Sequence, residues 1–251
     1  MNQKIFIKFF ILFFISHGLF AQTNMKPEDT EIWEPVPPKV TPGQNINEPP
    51  SDAIILFHGK NMDEWIVGDN TEWIVEDNFV TITPSTEKKI SPTSIRTKKE
   101  FGDMQLHVEW RSPAEIDSSG QRRGNSGIII QGRYEVQVLD SYDNPTYING
   151  QAASVYKQHI PLVNASRPPG EWQTYDIFFT APRFDVQGNL LKPAFVTVVH
   201  NGILAQYNAE IQGTIKHVGY PEYDAHPLKQ PLYLQDHGNA VSFRNIWVRE
   251  L

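Results

Sequence analysis

About ten short runs of alternating or β-branched residues, each closed off by turn-forming residues, oblige this chain to build sheets. They are Ala53–Phe57, Trp73–Val75, Phe79–Ile82, Met104–Arg111, Ile128–Gln131, Tyr134–Leu139, Trp172–Thr180, Phe195–His200, Leu232–Gln235 and Ser242–Val248. Few windows show a helical period. Asp77-Asn78 and Asn201-Gly202 are strong hairpin turns, and Gly238-Asn239 divides the last two runs. With no repeat period, the pattern predicts an all-β fold in which two antiparallel sheets pack face to face as a jelly-roll sandwich. Three long irregular stretches, 112–123, 141–153 and 211–230, are expected to build the site.

Residues 1–21 read as a secretory leader: Lys4 and Lys8 at the start, the apolar block Ile5–Phe20, then Ala21 as the cleavage position. A secreted or periplasmic bacterial protein without a transmembrane segment follows. The chain has no cysteine, hence no lipid-anchoring thiol and no disulfide framework. Losing Lys4 and Lys8 takes the formal net charge from −7 to −9. So acidic a surface argues against nucleic acid as a partner. Residues 22–50 are proline-rich and read as an arm, either flexible or laid along the domain through Trp33. Residues 51–251 form the β-rich domain.

Two runs offer polar faces. In Met104–Arg111 the residues Met104, Leu106, Val108 and Trp110 share one side, leaving Gln105, His107, Glu109 and Arg111 on the other. In Tyr134–Leu139 the outward residues are Glu135 and Gln137, close in sequence to Tyr142, Tyr147 and Tyr156. If these two strands are neighbours, Glu109 and Glu135 reach one ligand, and paired carboxylates can divide acid and base roles in cleaving a glycosidic bond. Arg111 is either a substrate contact or the ion-pair partner of Glu109. His237, beside Asp236 in a turn, is a proton-transfer candidate or a capping histidine. His200, His217 and His226 carry the same two readings.

Other chemistries lack their signatures. The chain contains no His-Glu-x-x-His, no Gly-x-Ser-x-Gly, no phosphate-binding loop and no dinucleotide fingerprint. Asp140, Asp143 and Asn144 are candidate ligands for a structural calcium, although no EF-hand spacing is present.

Several motifs then converge. Leu56-Phe57-His58-Gly59-Lys60-Asn61-Met62-Asp63-Glu64-Trp65, Trp73-Ile74-Val75-Glu76-Asp77-Asn78, Glu109-Trp110-Arg111, Gly124-Asn125-Ser126-Gly127-Ile128 and Tyr134-Glu135-Val136-Gln137-Val138-Leu139-Asp140 occur in this order. Gly170-Glu171-Trp172-Gln173, His200-Asn201-Gly202 and Phe243-Arg244-Asn245-Ile246-Trp247 complete the set. Together they resemble the 3-keto-disaccharide hydrolase family over nearly all of residues 52–251. The chain departs from that pattern at His58, where Asp or Asn is usual, at Asn78 in place of a turn glycine, and at Lys157, where a small residue is expected.

The resemblance implies a concanavalin A-like jelly roll, export in glycan-degrading bacteria, and glycosides already oxidised to a ketone at position 3 as substrates. A ketone acidifies the hydrogen on the adjacent ring carbon, so one base suffices to expel the leaving alkoxide, with water adding afterwards if the net reaction is hydrolysis. Glu109, Glu135 and His237 are the candidate acid-base groups. Arg111, Asn125, Gln137, Asp140, Tyr156 and Gln235 are the candidate substrate contacts. The alternative is a lectin-like carbohydrate-binding module without catalysis.

Overall fold

The structure, a computed structural model, describes residues 25–68, 73–83 and 94–251. The expected leader lies outside the described residues. The chain separates into two compact units, residues 1–39 and 40–251. Within the first, Pro27–Thr30 forms a 3-10 turn started by its proline, and Trp33 is exposed. The sequence boundary of the arm, at residue 50, falls inside the second unit. Thr41 and Ser51 exchange hydrogen bonds there, Ser51 N–H donating to Thr41 O and Thr41 N–H to Ser51 Oγ, both at 2.9 Å.

The second unit is a sandwich of two antiparallel sheets. In chain order its strands are β1 (Ile54–Phe57), β2 (Trp65–Ile66), β3 (Trp73–Glu76), β4 (Phe79–Ile82), β5 (Ile95–Phe101), β6 (Met104–Arg111), β7 (Ser126–Ile130) and β8 (Tyr134–Val138). They continue with β9 (Gln173–Thr180), β10 (Arg183–Phe184), β11 (Leu190–Lys192), β12 (Phe195–His200), β13 (Ile203–Glu210), β14 (Gln230–Leu234) and β15 (Ser242–Glu250). The larger sheet has eight strands ordered β13-β12-β9-β6-β15-β4-β3, with β1 also paired to β15. The smaller has five, ordered β2-β5-β14-β7-β8, and β10 and β11 form a separate ribbon.

Turn chemistry places the hairpins as expected. Asp77 and Asn78 lie at φ 44° and 69°, and Asn201 and Gly202 at φ 52° and 79°. These are the primed turns that suit the twist of paired strands, and asparagine adopts the left-handed conformation with little strain, which reconciles Asn78 with a glycine position. Strand β5 escapes a reading by alternation because Lys98-Lys99-Glu100 interrupts it. Its neighbours β2 and β14 hold it by backbone pairing instead.

The core lies between the sheets. Met104, Leu106, Val108 and Trp110 of β6 meet Tyr175, Ile177 and Phe179 of β9, and opposite them stand Tyr134, Val136 and Val138 of β8 with Ile128 and Ile130 of β7. Tyr134 packs on Phe179 at 5.8 Å between ring centroids, and the Tyr175 hydroxyl donates to Gln137 O at 2.8 Å. His200 belongs to this core: it stacks on Trp110 and meets Tyr175 edge-on, and burial, helped by the charge of Arg167, pushes its imidazole down to about 3. It is therefore a neutral packing residue at ordinary pH. Because alternation sends these apolar residues inward on both sheets, the polar residues between them point outward from opposite sides of the sandwich.

Candidate active site

The expectation that Glu109 and Glu135 share a ligand fails at this point. β6 lies in the middle of the larger sheet and β8 at the edge of the smaller one. Alternation therefore turns Glu109 and Arg111 out on one side of the sandwich and Glu135 and Gln137 out on the other.

On the larger sheet Glu109 is tied down. Arg244 Nε donates to Glu109 Oε2 at 2.6 Å and Asn245 Nδ2 to Oε1 at 2.9 Å. Consecutive strand residues ordinarily face opposite ways. A bulge in β15 between Arg244 and Trp247, with Asn245 at φ 47°, lets both reach one carboxylate. His107 Nε2 lies 3.8 Å from Glu109, while His107 Nδ1 is 2.7 Å from Asp176 Oδ1. Burial opposes ionisation of both groups. The surrounding partners outweigh it, lowering the Glu109 carboxyl to about 2 and raising the His107 imidazole above its ordinary value. Trp247 stacks on His107, and Asn47 O accepts from Asn245 Nδ2 at 2.7 Å, so residues of the 40–50 segment border this cluster. Arg111 stacks on Phe79 and Trp172, each 4.7 Å from its guanidinium carbon, and does not pair with Glu109. The ion-pair reading of Arg111 from the sequence thus gives way to a cation held by aromatic rings.

On the smaller sheet Glu135 is left free of partners. It is 3% exposed and its carboxylate makes no hydrogen bond among the described residues. Burial alone pushes it up to about 8. The carboxylate leans across β7 onto Gly127, where a Cβ would stand 2.4 Å from Glu135 Oε1, so glycine is what opens this seat. The bridge between Val136 and Val155 adds residues 153–156 beside β8, with Tyr156 N–H donating to Glu135 O at 3.1 Å. This register puts the Tyr156 side chain directly opposite Glu135 on the same face. Burial and the Tyr147 hydroxyl, 2.8 Å away, hold the Tyr156 phenol above its ordinary range, and the charge of Glu135 adds to this.

Gln235, Gly127 and Gln137 form the adjacent row: Gln235 N–H donates to Gly127 O at 2.9 Å, and Gly127 is opposite Gln137. Gln137 Nε2 donates to Asn125 Oδ1 at 3.1 Å, and Asn125 Nδ2 to Gln121 O at 2.6 Å. The amide oxygens of Gln121, Gln137 and Gln235 are buried without a partner. Such acceptors suit ligand hydroxyls, because a buried acceptor gains most from a donor that arrives with the ligand. Asn239 Oδ1 accepts from Asn125 N–H at 2.8 Å, fixing the turn that carries His237 at its exposed tip.

Asp140 takes a different role from the expected one. Arg123 Nε donates to its Oδ2 at 2.6 Å and Tyr142 N–H to its Oδ1 at 3.2 Å. Asn144 Nδ2 donates to Asp140 O and Gly120 O. Asp140 and Asn144 are thus bonded to Arg123 and Gly120 of the preceding loop, Asp143 meets Arg123 through its backbone carbonyl, and no group of three or more acidic, histidine or cysteine side chains converges among the described residues. His226 meets the Tyr134 hydroxyl at 2.8 Å, and His217 Nδ1 lies 3.4 Å from that of Tyr156. Sequence reasoning missed Gln121, and also the pairing of residues 153–156 with β8, for which the left-handed Ala153 and Lys157 carry no strand pattern.

A jelly roll with long loops around a polar sheet face is the class defined by fold and site. Comparison with known proteins makes this specific. Residues 52–249 match the family described as the 3-keto-alpha-glucoside-1,2-lyase-like domain, and the chain belongs to that family. A solved structure of a proposed glycosyl hydrolase from Parabacteroides distasonis is 47% identical, with a TM-score of 0.83 over 90% of this chain and 97% of that one. A second proposed glycosyl hydrolase from the same organism is 22% identical, with a TM-score of 0.59 over 79% and 94% of the two chains, and shares the fold. No curated protein matches the chain. No helix among the described residues is long and apolar enough to cross a membrane.

Proposed function

We propose that this protein cleaves the glycosidic bond of 3-keto-glycosides on the outer face of the smaller sheet, with Glu135 as the proton-transfer group. The observation carrying this reading is a carboxyl that is buried, free of hydrogen bonds and poised near pH 8, seated over Gly127 and facing a phenol. A group of that pKa exchanges protons readily near neutral pH, the property acid-base catalysis requires. Membership of a family named for a keto-glucoside lyase supports the substrate class.

In the proposed mechanism, ionised Glu135 removes the hydrogen from the ring carbon beside the ketone, and the electron pair flows into the carbonyl as an enolate. As the enolate collapses, the bond to the glycosidic oxygen breaks, and the Tyr156 phenol, kept protonated by its environment, donates to the leaving oxygen. The buried amide oxygens of Gln137 and Gln235 accept sugar hydroxyls and fix the ring. Water adding to the unsaturated ketone converts the elimination into net hydrolysis.

The test is incubation with a disaccharide and its 3-keto derivative, followed by product analysis. Release from the keto form alone supports the proposal, and an unsaturated keto-sugar marks a lyase whereas a hydrated one marks a hydrolase. Binding of either sugar without release supports a carbohydrate-binding module instead.

A further inference from the structure

A cavity of about 520 Å³ lies across Tyr156 from Glu135, lined by Tyr147, Asn149, Lys157, Gln212, His217 and Tyr220. Tyr156 joins the two regions, since its hydroxyl touches Tyr147 at 2.8 Å while its ring stands opposite Glu135. We propose that this cavity is the subsite for the leaving-group sugar, a second pyranose ring rather than a small aglycone. The proposal rests on the reading of Glu135 given above.

The cavity wall has the mixture that a pyranose requires, aromatic faces for the ring's C–H side and polar groups for its hydroxyls. Tyr147 is fixed edge and face: a Cβ on Gly150 would stand 2.0 Å from its ring, so glycine lets the ring lie on the backbone. Tyr220 is 89% exposed, and no hydrogen bond or ring contact engages it among the described residues, leaving both faces available. Asn149, Gln212 and His217 bring hydrogen-bonding groups to the same wall.

Lys157 joins the two loops that form the cavity. Its Nζ donates to His217 O at 2.5 Å and sits 5.6 Å from the ring centroids of both Tyr147 and Tyr156. The residue lies at φ 57°, the left-handed region, which accounts for the small residue expected there from the family pattern. Lysine at this position accepts local backbone cost and in return fastens residues 211–221 to the loop carrying Tyr147 and Tyr156.

The experiment compares wild type, Tyr220→Ala and Lys157→Ala on a 3-keto-disaccharide and on the methyl 3-keto-glycoside of the same sugar. Loss of a stacking partner should raise KM for the disaccharide about three- to tenfold more than KM for the methyl glycoside. Equal changes for the two substrates in Tyr220→Ala, or none, would overturn the subsite. If wild type turns over neither substrate, the reading of Glu135 fails. The subsite is then judged by calorimetric binding of the same two sugars, and it falls if Tyr220→Ala weakens the disaccharide no more than the methyl glycoside.

Discussion

Two glutamates stand on the outer faces of the two sheets, and the protein treats them in opposite ways. Glu109 is surrounded by Arg244, Asn245 and His107 and lowered to about 2, whereas Glu135, equally hidden from water, has no partner and is raised to about 8. Burial costs both carboxylates. Only one of them recovers that cost through charge-assisted hydrogen bonds. The difference separates a carboxylate bound into a cluster of donors from one left without a partner, and alternation along a strand does not distinguish the two.

Exchanging the two acids for amides gives the sharpest test. Glu135→Gln should lower kcat/KM on a 3-keto-glycoside by about 10²–10⁴ while the melting temperature holds or rises, because a neutral isostere removes a buried ionisable group. Full activity in that variant would erase the contrast. Gly127→Ala probes the same seat from across the strand. A methyl group that displaces the Glu135 carboxylate should cost about 10² in kcat with little change in stability, since the far end of the side chain can yield.

Glu109→Gln is expected to act in the reverse sense, with stability lower by about 1–3 kcal/mol in denaturant titration and kcat nearly unchanged. Arg244, on the open side of that cluster, limits the loss through solvent screening.

The smallest effects are in pH dependence. Because Glu135 is raised from 4.5 to about 8, the folded state binds the extra proton between those values, and stability falls as pH rises through that window. Glu135→Gln should flatten this slope. His107, also raised, adds stability below pH 6.5 that is lost as pH climbs through its folded value. For Glu109 the sign reverses: its contribution is present above about 4.5 and is lost as pH falls toward 2. Urea midpoints measured from pH 3 to 9 on wild type and both variants would separate the three groups. Activity adds one more discriminator: with Glu135 as base, kcat/KM rises with pH through about 8.

Much of the architecture was legible in the residues. β4, β6 and β12 occupy the runs read from alternation, and the turns at Asp77-Asn78 and Asn201-Gly202 carry the positive φ angles their composition requires. β13, an edge strand with the pattern Ile203–Glu210, was not legible, because with one neighbour it alternates poorly between buried and exposed positions. Glu135 and Gln137 were read from strand alternation and Tyr156 from the aromatic loops, Asn125 and Gln235 were named as contacts only beside the family resemblance, and the structure gathers all five on one face or along its border. Glu109 and Arg111 were identified on the same grounds and belong elsewhere.

Local chemistry determined which residues leave the core and where the chain turns, because side-chain period and left-handed propensity act over a few residues. Tertiary structure alone decided which strands become neighbours, and with that which carboxylate meets an arginine. The bulge that brings Asn245 to Glu109, and the glycine that seats Glu135, act between segments far apart in sequence or across paired strands. Electrostatic fate is set by partners within a few ångströms, and sheet order, which alternation does not encode, chooses those partners.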